Sequence, residues 1–143
     1  GKGLHLEQGA GDQGLMFGFA SNETEGFQDL KGMFMPLPAA LAQLLTSKMS
    51  ASMKDGSLPW ARPDSKSQVT IRYGDDGKPS SVETVVIAIQ HDDLAKEKFE
   101  GSERQEHSYI CSEIMEKVIK TVIPTSLLDS PSSQHMFAGC NTF

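Results

Sequence analysis

Between Pro59 and Thr70 the chain gathers its single tryptophan, Trp60, with Arg62, Pro63, Asp64, Ser65 and Lys66, and then runs into β-branched residues. Pro63 fixes its own φ and pushes Arg62 toward an extended conformation. In an extended backbone, Asp64 and Lys66 project to one face. A carboxylate and an ammonium on one face, at the mouth of a strand, suit a polyphosphate with its metal. The ammonium meets phosphate oxygens, and the carboxylate meets Mg²⁺ or a ligand amine. The plainer alternative is an edge-strand ion pair or a solvated turn, since exposed ion pairs are common and weak.

Two other clusters could carry chemistry. Gly9-Ala10-Gly11-Asp12-Gln13-Gly14 places an acid among glycines just before the apolar run Leu15-Met16-Phe17-Gly18-Phe19-Ala20. Glycine permits close backbone approach, so Asp12 could stand at a binding edge on the lip of a buried strand, or in a plain turn. No Gly-Lys-Ser/Thr follows, which excludes a Walker loop, and the glycine spacing is not that of a dinucleotide fingerprint. His91-Asp92-Asp93 could ligate a metal, but adjacent residues rarely converge on one ion, so a capped strand end is expected there.

These residues need elements to hold them. The 143 residues are 38% hydrophobic and 22% charged, enough for one ordinary domain with a core. The net charge of −6 and pI near 5.1 argue against general nucleic-acid binding. Cys111 and Cys140 lack metal-site spacing and suit free thiols. With no signal segment or long apolar run, a soluble cytoplasmic protein without membrane attachment is expected.

Residues 22–31 are polar and acidic and read as a surface loop. Leu37, Leu41, Leu44, Leu45 and Met49 follow Pro36 and Pro38 at helical spacing, predicting an amphipathic helix from Pro36 to Met53 that Asp55-Gly56 ends. Val69, Ile71 and Tyr73 alternate as in a half-buried strand over Gln68–Tyr73. The Asp-Gly turn within 74–79 joins it to a second strand, Val82–His91, whose Val85–Ile89 run predicts burial on both faces. Residues 94–107 are dense in charge and read as a solvated helix or loop. A second amphipathic helix is expected from Ser108, as its cap, to Val122, with Pro124 beyond. Leu127 and Leu128 should dock on the core, and residues 135–143 look like the start of another strand. The fold class is therefore α+β: a mainly antiparallel sheet with amphipathic helices on one face. Both ends read as cut.

Four stretches resemble one family. Gly9–Ala20 closely resembles the adenine-binding signature of the S-adenosylmethionine synthetases (methionine adenosyltransferases). Gly56–Thr70, with Pro59-Trp60-Ala61-Arg62-Pro63-Asp64-Ser65-Lys66 at its centre, is similar to that family's central-domain signature. Val86–His91 and Val118–Pro124 resemble two further family stretches in the same order. The resemblance implies one of three similar α+β domains, with residues 1–35 ending the first domain and 36–143 forming most of the central one. It implies formation of S-adenosylmethionine from ATP and L-methionine, assisted by Mg²⁺ and K⁺, in a homodimer or homotetramer. By the same resemblance, Lys66 reaches the polyphosphate, while Asp64 and Ser65 help to hold ATP. Asp12 acts in catalysis and contacts the methionine amine or organises the nucleotide, Phe143 packs on the adenine, and Asn141 and Thr142 help to bind ATP. The family's amino-terminal His-Pro-Asp-Lys motif, its mobile loop and its later Gly/Lys/Asp-rich motifs have no counterpart here. No metal ligand is therefore assigned in this chain. The polypeptide alone is expected to be inactive, or to serve as a structural, dimerising domain with a partial nucleotide site.

Overall fold

The computed structural model describes residue 11, residues 13–128 and residues 135–138. Helix α1 spans Leu37–Lys54 and buries Leu37, Ala40, Leu41, Leu45, Met49 and Ser52, the expected stripe. Pro36 stands at its N-cap and Pro38 in its first turn, where a missing N–H costs nothing. Pro36 offers no capping side chain. Instead, the Glu23 carboxylate accepts from the Leu37 N–H at 2.9 Å. The helix ends at Asp55, and Gly56 takes φ +80°, a left-handed conformation suited to glycine.

Strands β1 (Ala61–Tyr73) and β2 (Pro79–His91) form an antiparallel pair joined by the expected turn, with Gly77 at φ +73°. Strand β3 (His135–Ala138) lies parallel to β2, giving the order β1-β2-β3. The sheet is thus mainly antiparallel, and the α+β class is the one observed. Inward positions follow the period of two: Val69 faces Val85, Ser67 faces Ile87 and Ser65 faces Ile89. Val69, Ile71, Val82, Val85, Ile87 and Ile89 bury against α1 and the later helices.

Those helices are α2 (Leu94–Lys98), α3 (Glu103–Ile114), a π turn over Met115–Ile119, α4 (Lys120–Val122) and α5 (Thr125–Leu128). The π turn adds one residue to the helical repeat, so Ile114, Val118 and Ile119 all face the core. Leu127 docks on the core as expected.

Four expectations need correction. Residues 15–20 form no strand, and Leu15, Met16, Phe17 and Phe19 stand 82–92% exposed. An apolar run becomes a buried strand only against a partner, and no described element covers this one. Residues 22–31 are not a bare loop. They contain 3-10 turns at Glu23–Gly26 and Gln28–Leu30, with Thr24 and Leu30 buried. The strand run is not buried on both faces, because Val86 on the face away from α1 is open. The second long helix starts at Glu103, capped by Ser102 rather than Ser108. Ser108 Oγ instead donates to the Arg104 carbonyl inside the helix. The charged stretch is helical there because Glu106 turns inward and accepts from the Ala95 N–H at 2.9 Å.

Candidate functional site

The candidate residues sit where β1 begins. Ala61 pairs with His91, yet the next regular pair is Ser65 with Ile89. Arg62, Pro63 and Asp64 therefore stand against Gln90 alone. Such a bulge interrupts the ladder and re-aims side chains. Pro63, which has no N–H to donate, is suited to it.

Arg62 ties down the start of the irregularity. Its Nη1 donates to the carbonyls of Pro59 at 3.1 Å and Ala61 at 2.8 Å, and its Nη2 donates to Oδ2 of Asp92. The Asp92 N–H donates in turn to the Trp60 carbonyl at 3.0 Å. Behind this clasp, the buried Trp60 ring meets His91 edge-on, with centroids 6.2 Å apart and planes at 83°. His91 Nδ1 lies 2.6 Å from the Asp92 carbonyl and 3.8 Å from Oε1 of the inward Glu106. The mouth of the strand is backed by a buried aromatic and polar cluster.

Past the bulge, the Ser67 hydroxyl donates to the Ala42 carbonyl of α1 at 2.7 Å, which fixes that side as the inner face. Lys66, opposite Ala88, therefore lies on the outer face. Asp64 and Lys66 are exposed and Ser65 is half-buried. Asp64 sits within the bulge, so strand alternation alone does not set its direction. Among the described residues, no side-chain hydrogen bond or ion pair engages the Asp64 carboxylate or the Lys66 ammonium. An unengaged carboxylate and ammonium on an open strand leave their charge for a ligand.

The His91-Asp92-Asp93 triplet does not converge. Asp92 pairs with Arg62, while Asp93 caps α2, accepting from the Lys96 N–H at 3.2 Å and pairing with its ammonium. Those Lys96 contacts hold the Asp93 carboxyl below the usual range. Among the described residues, no three His, Cys, Asp or Glu side chains are grouped to hold a metal ion. A cleft of about 400 Å³ lined by Asn22, Glu23, Gly26, Phe27, Gly77, Lys78 and Pro79 includes neither Asp64 nor Lys66. Asp12, Asn141, Thr142 and Phe143 lie outside the described residues.

Sequence reasoning missed the Arg62–Asp92 pair and the inward Glu106. Arg62 before Pro63 was visible, but its partner stands 30 residues away, beyond any local pattern.

The fold and this strand define an α+β domain that presents an open acid–base pair at a bulged strand mouth. The model of the S-adenosylmethionine synthetase central domain matches residues 7–143. The S-adenosylmethionine synthase of Syntrophobacter fumaroxidans (strain DSM 10017 / MPOB) is 45% identical over 129 residues, covering 90% of this chain and 28% of that protein. The chain belongs to the S-adenosylmethionine synthetase family. It spans under a third of the length of that curated relative. No helix among the described residues is long and apolar enough to cross a membrane.

Proposed function

We propose that this chain is the central part of an enzyme forming S-adenosylmethionine from ATP and L-methionine. In this reading, the methionine sulfur attacks C5′ of ATP. The C5′–O bond breaks and its electron pair leaves with triphosphate, which is then hydrolysed to phosphate and pyrophosphate. Negative charge accumulates on phosphate oxygens, so fixed positive charge aimed at them lowers the barrier. Lys66 takes that part, with Asp64 and Ser65 holding the nucleotide. The observation that carries the reading is the open, unengaged Asp64 and Lys66 at the bulged start of β1, in a chain of this family.

The finer assignments belong to the same proposal. Asp12 acts in catalysis and contacts the methionine amine or organises the nucleotide, Phe143 packs on the adenine, and Asn141 and Thr142 help to bind ATP. Residues 1–35 close the first of three domains and 36–143 belong to the second, although the family match already begins at residue 7. Mg²⁺ and K⁺ take their ligands from other parts of the enzyme, a cytoplasmic homodimer or homotetramer. The chain by itself keeps only a partial nucleotide site.

Titrating ATP into the chain tests this. Binding that weakens roughly tenfold in Lys66→Ala, the scale of one lost charge-assisted contact, supports the reading. Equal binding by both proteins contradicts it.

A further inference from the structure

A strand does not hold three residues against one without help. The bulge at 62–64 is tied at one end by the Ala61–His91 pair and at the other by Ser65–Ile89 and the Ser67 hydroxyl on α1. Arg62, the first residue of the bulge, adds a tie at the Ala61–His91 end: its planar fork joins the Pro59 and Ala61 carbonyls, at the entry to β1, to the Asp92 carboxylate just past the end of β2. These bonds occupy both terminal nitrogens, so Arg62 is engaged where Lys66 is open. The side chains of Arg62 and Asp92 are 46% and 31% exposed, and an ion pair so wet adds little to stability. A mainly stabilising role therefore explains the arrangement poorly.

We infer that Arg62 and Asp92 are a positioning pair: they anchor the start of the bulge and so set where Asp64 stands relative to Lys66 over a bound nucleotide. The inference deepens the function proposed above and rests on it. Asp64 lies inside the bulge, whereas Lys66 is fixed on the outer face by its pairing with Ala88, so the placement of one relative to the other depends on how the irregular stretch is pinned. A guanidinium is the group for this task, because its fork donates to several fixed acceptors at once.

The sign of one substitution separates positioning from plain electrostatics. Asp92→Asn removes a negative charge near the strand mouth and frees Arg62. By Coulomb's law alone, both changes tighten binding of a polyanion. Loss of aim weakens it.

ATP, titrated into the wild-type chain and into Asp92→Asn, Arg62→Lys and Lys66→Ala, reads this out. Melting midpoints and the amide signals of Asp64, Ser65 and Lys66 are recorded alongside. The expected result is binding roughly tenfold weaker in Asp92→Asn, the scale of a small misplacement of a binding group, with shifted amide signals and little change in melting midpoint. Arg62→Lys keeps the charge without the fork and should weaken binding similarly, so the inference is still tested if Asp92→Asn folds poorly. Equal or tighter binding by Asp92→Asn or Arg62→Lys, with weaker binding by Lys66→Ala, overturns the positioning pair and leaves the functional reading standing. If Lys66→Ala binds like wild type, or wild type does not bind, the functional reading fails and the inference falls with it.

Discussion

The Tyr73 hydroxyl donates to Oε2 of Glu23 at 2.8 Å across 50 residues of chain. The same oxygen accepts from the Leu37 N–H at 2.9 Å. One carboxylate thus joins the 3-10 segment, the start of α1 and the end of β1. The Leu37 N–H, with further help from Tyr73 and Ser21, holds the Glu23 carboxyl below its ordinary 4.5. A depressed carboxylate contributes stability above its unfolded pKa and loses it as pH falls through the folded value.

Glu23→Gln should therefore cost about 1 kcal/mol at neutral pH, the scale of a lost helix cap. The cost should shrink as pH falls below 4.5. Urea unfolding across that range checks it. A cost independent of pH would contradict the role of the charge.

Tyr73 gives the opposite limb. Partial burial, and then its bond to Glu23, push its phenol from 10.0 up to about 12. A raised folded pKa means that this contribution is whole below the unfolded value and is lost as pH rises through the folded one. Between those two values the unfolded chain ionises first, so stability falls. In Tyr73→Phe the decline over that window should be shallower, read from the urea midpoint against pH. Identical slopes in the two proteins would count against the Glu23–Tyr73 bond.

Leu41 is fully buried at the centre of the α1 stripe. Leu41→Ala should destabilise the domain by about 2–5 kcal/mol, combining lost transfer energy with a residual cavity. Leu15, 83% exposed, is the internal contrast: Leu15→Ala should change the stability of this chain by no more than about 0.5 kcal/mol. Thermal or urea unfolding of the pair checks both values. A large loss from Leu15→Ala would mean that the apolar segment is covered.

Helix α1 was legible almost to the residue because its signals are local: a leucine stripe, prolines in the first turn and glycine after the last. The hairpin was legible from Asp76-Gly77 for the same reason. The early start of β1 was not, because Ala61 joins the sheet through a bulge pinned by Asp92, which no short window contains. The start of α3 was misplaced because Glu106 looks solvated by type, yet it faces inward to the Ala95 N–H. The apolar run at 15–20 carried a strand pattern without revealing whether a partner covers it. In the site, spacing singled out Asp64 and Lys66 and the family resemblance added Ser65, whereas the clasp at Arg62 depends on a contact between distant segments.

On the function proposed above, Asp64 and Lys66 serve the nucleotide site of a longer S-adenosylmethionine-forming enzyme. The most direct measurement is S-adenosylmethionine formation and phosphate release with ATP, methionine, Mg²⁺ and K⁺. It should be made on the 143-residue chain and on a protein carrying this domain at the relative's full length. No turnover by the chain alone is expected. Turnover by the longer protein should fall by about 100-fold or more in Lys66→Ala, the scale of a lost charge-stabilising donor, and fall also in Asp64→Asn. Turnover by the chain alone, or full activity in the longer protein without Lys66, would contradict that reading.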